Sequence, residues 1–528
     1  MSKRVLFRNV TLTGSAVALL SIGIIAARGD DQMAGQWPIM GHDLSNSRSQ
    51  PSERHIGQTN VAELVPKWTF TTGGDVSATP TVADNAVYFP DWAGNLYAAR
   101  ADTGRMLWSH RIADYNQRPG SMSRISPAVF NDELIVGDNM IESILHDGAH
   151  IMGIDRHSGE LRWITKVDAH PAAIITASPV VRGNVIYVGV SSSEEALATN
   201  NAYPCCSFRG SMVALNAVTG AIIWKTYVVP ENGGRTDGYS GNAIWQPPAI
   251  DPARRLIYIG TGNNYTVPKA VLDCQALGGQ DCTSSEDHFD SALALDLDTG
   301  AIKWAHKLQG IDTWTVACLS APPGVNCPLP SSPDYDLGGA GPNLVGNIVG
   351  FGQKSGIYWA LNPANGEIVW STIVGPGSSL GGIEWGTATD GTRIYVAIAN
   401  KNNISYKLQP DGPTITWGSW AALDVSTGKV LWQVADPTPG GYDLASLSVA
   451  NGVVYAGSFT TGIMYALHAA TGKVLWSFPS GGSVLDGPSI VNGTLFWGSG
   501  YSHIKPGIGN SKVFAFALPG GEQGERRD

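Results

Sequence analysis

The sequence predicts an all-β chain closed into an eight-bladed β-propeller. Three features predict it: a turn-and-tryptophan phrase repeated seven times, a four-strand pattern around the copies, and two chain ends that each hold part of a blade. The phrase is a glycine, three residues, then Trp. It runs Asp102-Thr103-Gly104 to Trp108, His157-Ser158-Gly159 to Trp163, Val218-Thr219-Gly220 to Trp224, Asp298-Thr299-Gly300 to Trp304, Ala364-Asn365-Gly366 to Trp370, Ser426-Thr427-Gly428 to Trp432, and Ala470-Thr471-Gly472 to Trp476. One supersecondary unit recurring over most of a chain means a radial or solenoid architecture.

Around the first copy, residues 77–82, 86–92, 95–101 and 105–112 are short runs rich in Val, Tyr, Trp and Leu, punctuated by Asp-Asn, Ala-Gly and Asp-Thr-Gly. That pattern is a four-stranded meander. The turn glycine supplies the positive φ of a tight hairpin, and the Trp brings a flat face to bury between adjacent sheets. Upstream, Trp68 in Pro66-Lys67-Trp68-Thr69-Phe70 has no Thr-Gly and no strand group before it. Downstream, residues 487–491, 494–498 and 512–518 form three strands without a tryptophan strand. Pairing the two fragments gives an eighth blade and removes the open edges of a linear array. Uneven spacing between the tryptophans marks insertions, where function concentrates on a rigid scaffold.

The 528 residues would otherwise suggest several domains, but the repeat argues for one propeller over residues 29–528. Charged residues make up only 15% and the net charge is −10, with no basic stripe, which excludes nucleic acid as a partner. Lys3, Arg4 and Arg8 precede an apolar stretch over 10–27, so residues 1–28 read as a secretory signal peptide; the alternative is an uncleaved membrane anchor. Either way the folded part is exported, and a periplasmic location is expected. The six cysteines fit that compartment. Cys274 with Cys282 and Cys318 with Cys327 share insertions and are expected to pair within them; adjacent Cys205 and Cys206 are open to a mutual bridge, distant partners or free thiols. No Cys-x-x-Cys-His, His-Glu-x-x-His, P-loop or Gly-x-Ser-x-Gly occurs.

The docking repeat, the eight blades and the export signal resemble the pyrroloquinoline quinone (PQQ) dehydrogenases, the quinoprotein alcohol dehydrogenase family. Local spacing carries the resemblance further. Thr176-Ala177-Ser178-Pro179 leads through Val185-Ile186-Tyr187-Val188-Gly189 to Ser191 and Glu194, as in the family's approach to a calcium-binding glutamate. Trp245-Gln246-Pro247-Pro248, then Leu256 to Gly260 and Thr261-Gly262-Asn263, resembles the indole beneath the quinone followed by the metal-binding asparagine. Tyr335-Asp336-Leu337-Gly338 before Gly352-Gln353-Lys354-Ser355-Gly356 resembles the aspartate that is both ligand and general base, then the cation touching the quinone oxygens. Asp312, in Gly310-Ile311-Asp312-Thr313-Trp314-Thr315, is the rival base, but Thr315 stands where that motif has its Asp. Arg124, before Ile125-Ser126-Pro127, resembles the arginine that pairs with a quinone carboxylate. Glu384 before Trp385 departs from the family's Asn or Asp. Trp37-Pro38 to Gly41-His42-Asp43, Cys205 to Gly210 and Gly381 to Gly386 look most like polyvinyl alcohol dehydrogenases within the family.

The resemblance implies PQQ and calcium as cofactors. A flat tricarboxylic quinone asks for an aromatic floor, Trp245, cations at its acids, Arg124 and Lys354, and oxygen ligands for a hard metal, Glu194, Asn263 and Asp336. Thr176 and Ser191 complete the expected cofactor site. The expected reaction oxidises secondary alcohol groups of a polyvinyl alcohol-like substrate to ketones and passes electrons to an external cytochrome c. Two alternatives stand beside it: the same chemistry on small alcohols or sugars, with loops 267–288, 318–334 and 402–417 setting access, and a cofactor-free propeller that binds proteins.

Overall fold

The structure, a computed structural model, describes Met1 and residues 35–140, 145–279 and 282–520. The expected signal segment lies outside the described residues, Met1 apart. Eight four-stranded antiparallel meanders follow one another around an axis. Blade 1 is Thr81–Ala83, Ala86–Pro90, Asn95–Arg100 and Met106–Arg111, and blades 2 to 7 repeat it, starting at Ala128, Val180, Ala249, Pro342, Ala388 and Ser448. Blade 8 is the expected composite: Val65–Thr71 pairs antiparallel with Lys512–Ala517, with Trp68 opposite Ala515. The first strand of blade 1 begins at Thr81 rather than at residue 77. The cause is Pro80, which has no N–H to give the ladder, and Pro127, Pro179, Pro248 and Pro488 likewise stand one residue before the innermost strands of other blades.

The repeated phrase is the joint between blades. Each turn glycine has φ between +69° and +78°, and a Cβ there would meet the preceding blade's indole at 2.9 Å or less. Glycine is therefore required twice, for the turn and for the seat of the ring. Six of the eight indoles then donate Nε1–H to a backbone carbonyl of the next blade; Trp476 closes the circle onto Leu64 O at 3.2 Å.

Residues 37–50 run across the innermost strands as a strap. Val82, Val129, Ile250, Leu344, Thr389 and Val449 each donate a backbone N–H to it, at Trp37, Pro38, Leu44, Ser45, Ser47 and Arg48 respectively. Blade 8 joins through Gln50 Nε2 to Ile490 O at 3.0 Å. The strap thus ties seven blades by their inner strands. The connections between second and third strands, and those entering each inner strand, gather at the opposite end of the blades and hold the insertions. All three disulfides lie in these insertions: Cys274–Cys282, Cys318–Cys327, and a bridge between adjacent Cys205 and Cys206.

Candidate active site

A cavity of about 260 Å³ opens among these connections. Two recurrent positions supply its wall: the second or third residue beyond a blade's second strand (Trp92, Glu195, Asn263, Lys354, Tyr501) and the segment entering the inner strand (Arg124, Thr176, Trp245, Asp336, Glu384). Strand geometry thus aims side chains from several blades at one volume.

Asp336 sits at its centre. Its Oδ1 accepts the Asn263 backbone N–H at 2.7 Å, and its Oδ2 lies 2.8 Å from Lys354 Nζ. The approach depends on Gly262, where a Cβ would stand 2.7 Å from Asp336 Oδ1. Asn263 commits Nδ2 to the Asn264 and Trp314 carbonyls, at 3.0 and 2.8 Å, which leaves its Oδ1 as the group for a ligand. Lys354 also reaches both oxygens of Asp334 at 3.2 Å. Burial alone would lower the lysine, but Asp334 and Asp336 carry it well above its ordinary value.

Trp245 is half-buried, with Gly338 and Gly339 packed against its edge: a Cβ on either would come within 3.2 Å of the indole. Lys354 Nζ stands 5.5 Å from the ring centroid, and Trp385 meets it edge-on at 5.7 Å. Across the cavity, Arg124 Cζ lies 5.0, 5.5 and 5.9 Å from the Trp385, Trp92 and Tyr501 ring centroids. Aromatic faces hold this guanidinium; among the described residues no carboxylate comes within ion-pair distance of it. Thr176 Oγ1 and Ser191 Oγ, both lining residues, are 2.6 Å apart.

Glu194 departs from its expected place as a metal ligand. It is fully buried in the loop behind the wall, where it accepts Ser207 N–H at 3.0 Å, Phe208 N–H at 2.8 Å and Tyr203 O–H at 2.8 Å. The helical turn Glu194–Leu197 that follows Val185–Ser192 points successive side chains in different directions, and Glu195 is the one that faces the cavity. Burial, then nearby Asp336, Asp312 and Glu384 against the pull of Lys354, pushes Glu195 up to about 7. Glu384 is likewise pushed up to about 7, chiefly by burial, and its Oε2 is buried without a partner. Asp312 lies behind the wall, where its Oδ2 accepts Tyr335 N–H at 2.6 Å; Thr315 Oγ1 is spent on the Asn326 carbonyl. The expected Arg124, Thr176, Ser191, Trp245, Asn263, Asp336 and Lys354 all line one volume, whereas Glu194 and Asp312 do not. Sequence reasoning missed the aromatic box of Trp92, Trp385 and Tyr501 around Arg124. Trp92 carried a usable signal: it follows the second strand of its blade, as Asn263 does.

Two family models match the chain. That of the β-propeller domain of glucose/ethanol/alcohol dehydrogenases matches residues 164–330, and that of the outer membrane protein assembly factor BamB matches 65–203 and 416–505. Trp245 and Asn263 lie in the first stretch and outside the second. A polyvinylalcohol dehydrogenase of Sphingopyxis sp. (strain 113P3) is 31% identical over 512 residues, spanning 89% of this chain and 73% of the relative. The chain belongs to the PQQ-dependent quinoprotein alcohol dehydrogenase family. A second polyvinylalcohol dehydrogenase, from a Pseudomonas sp, is 29% identical to this quinoprotein, covering 88% of it and 73% of the relative. The crystal structure of a quinohemoprotein alcohol dehydrogenase from Comamonas testosteroni superposes with a TM-score of 0.68 at 19% identity, covering 95% and 83% of the two chains, which establishes the shared propeller fold. As a quinoprotein the chain is an oxidoreductase, and the binding-scaffold alternative falls away.

Proposed function

We propose that the protein is a periplasmic dehydrogenase that uses PQQ and calcium to oxidise secondary hydroxyls of a polyvinyl alcohol-like chain to ketones, with an external cytochrome c as electron acceptor. The observation that carries this reading is the meeting of Asn263, Asp336 and Lys354 beside the open face of Trp245. The residues fit both groups. Four acidic side chains, Glu195, Asp334, Asp336 and Glu384, line a desolvated cavity with Lys354 and Arg124 as its cations. This leaves an excess of negative charge that a bound divalent cation would offset. Glu195, Asn263 Oδ1 and Asp336 are the oxygen donors for it, Glu195 taking the place first expected of Glu194. Arg124, held by aromatic rings and the Tyr501 hydroxyl with no carboxylate in ion-pair reach among the described residues, faces the cavity as a partner for an acid group, and Trp245 offers the flat floor.

When bound, PQQ supplies a quinone carbonyl that accepts hydride and calcium polarises it. The chain's own part is proton handling and orientation. Asp336 has inequivalent oxygens: Oδ1 is fixed by the Asn263 amide, so Oδ2 is the atom placed to take the alcohol proton. Lys354 beside Oδ2 steadies the carboxylate's position and its charge. The glycines around Trp245 and Asp336 keep this geometry tight.

Reconstitution of purified apoprotein with PQQ and calcium, followed by dye-linked oxidation of polyvinyl alcohol, small secondary alcohols and sugars, tests the reading. Quinone absorbance in the protein and dye reduction with polyvinyl alcohol are expected. Absence of both overturns it, and faster turnover of sugars than of polymer moves the substrate assignment.

A further inference from the structure

The chain from residue 313 to 333 contains no charged residue, in a protein of net charge −10. It begins on the cavity wall, where Trp314 and Val316 are lining residues, and runs outward through the turn Val316–Leu319. There it presents Leu319, Val325 and Leu329 at 57%, 73% and 63% exposure. Three aliphatic side chains this exposed thus fall within eleven positions of one loop. The loop holds them in a fixed form. Cys318 is bridged to Cys327, and Asn326 Nδ2 donates to the carbonyls of Ala198, Asn200 and Tyr203 at 3.2, 3.1 and 3.1 Å. On the same loop a second cavity, about 240 Å³, is lined by Pro330, Ser331 and Ser332 with Ile311, Gly279 and Gln275. Gln275 Oε1 is buried there with no hydrogen-bond partner among the described residues.

We propose that this loop is an extended subsite for a neutral amphipathic polyol, whose hydrocarbon backbone lies on Leu319, Val325 and Leu329 while its hydroxyls meet Gln275 and Ser331. The inference rests on the polymer-oxidising reading above and deepens it. A chain of alternating methylene and carbinol carbons has the required character: apolar along its backbone, hydrogen-bonding at every second carbon, and uncharged. A protein partner would be steered and registered by charge, and residues 313–333 offer none. Continuity with Val316 lets one carbinol of a bound polymer reach Asp336 while its neighbours remain on the rim.

The test uses two variants. Leu319→Ser/Val325→Ser/Leu329→Ser keeps the disulfide and the neutrality, and Gln275→Ala/Ser331→Ala removes the hydroxyl partners. Affinity electrophoresis of the apoprotein in native gels containing polyvinyl alcohol reads binding without cofactor. The wild type is expected to be retarded and the triple variant to run free. In the reconstituted enzyme the triple variant should lose about tenfold or more in kcat/KM for polymer, the scale of exposing one or two aliphatic side chains, while a small secondary alcohol changes less than about twofold. The double variant should show the same selectivity at smaller size. Equal retardation of wild type and triple variant, an equal loss on both substrates, or binding of the wild type to phosphatidylcholine vesicles that the triple variant lacks would each overturn the proposal. A wild type that oxidises no alcohol defeats the functional reading alone, because the gel still reads the rim directly.

Discussion

Glu194 and Glu195 are adjacent carboxylates with different tasks, and exchanging each for glutamine separates them. The Glu194 carboxylate accepts three donor groups: Ser207 N–H, Phe208 N–H and Tyr203 O–H. Ser207 N–H reaches both carboxylate oxygens at 3.0 Å, so a glutamine whose oxygen takes the Oε2 place keeps both backbone donors and turns its NH₂ to the Tyr203 hydroxyl. What it loses is the charge on the acceptor, worth about 1–3 kcal/mol over the three donor groups. Glu194→Gln should therefore lower unfolding stability by about 1–3 kcal/mol in urea titration of the apoprotein. The folded fraction should keep its quinone binding and its response to calcium. Glu195→Gln should do the reverse, because its carboxylate faces the cavity and stabilises no backbone donor: apoprotein stability within about 0.5 kcal/mol of wild type, or higher, with a raised calcium requirement for dye reduction. If Glu194→Gln instead shifts the calcium requirement and leaves the urea midpoint unchanged, the placement of these two side chains is wrong.

Asp336→Asn should abolish turnover, by about 10²-fold or more, while quinone absorbance persists, and Asp312→Asn should retain turnover because Asp312 is engaged with Tyr335 behind the wall. Gly300→Ala should destabilise by about 2–4 kcal/mol, since its φ is +70° and a Cβ would lie 2.5 Å from Trp224, whereas Gly391→Ala, at φ +86° with open space around it, should cost only about 1–2 kcal/mol; urea unfolding of both isolates the indole's share. Burial and the neighbouring Asp436 hold the Asp443 carboxyl well above its ordinary value. The unfolded chain thus releases this proton near pH 4 while the folded one keeps it, and stability falls by about 1.4 kcal/mol per pH unit above that point until the folded group ionises. Asp443→Asn should lack this slope, so its stability relative to wild type should rise between pH 5 and pH 7.

The ring was legible because its joints are written in residue types with few substitutes. A glycine at φ near +70° that also seats an indole tolerates no side chain, and a Trp that fills the gap between sheets and donates to the next blade has no equal in size. Their spacing therefore survives as a visible phrase, and the half-blades at each end followed by subtraction. The short inner strands were less visible. Residues 77–80 extend the strand in the sequence pattern, but Pro80 cannot donate to the ladder and the strand begins at Thr81.

Within the site, legibility tracked how far backbone fixes the side chain. Asn263, Trp245, Asp336 and Lys354 leave strand ends or glycine-bounded turns, so local spacing carries their direction, and all four converge. Glu194 leaves a strand through one turn of helix, where a shift of one residue rotates a side chain by about 100°. Two consecutive glutamates are then indistinguishable in sequence, and only the position of the Ser207 and Phe208 amides decides which of them is drawn inward behind the wall. The aromatic box around Arg124 comes from blades 1, 6 and 8, with Arg124 and Tyr501 377 positions apart along the chain. No local motif records such a meeting; it exists because the composite eighth blade brings residue 501 back beside residue 92. The closure that completes the ring therefore also completes the cavity wall. Unpairing Val65–Thr71 from Lys512–Ala517 should open a sheet edge and disrupt the Arg124 site together.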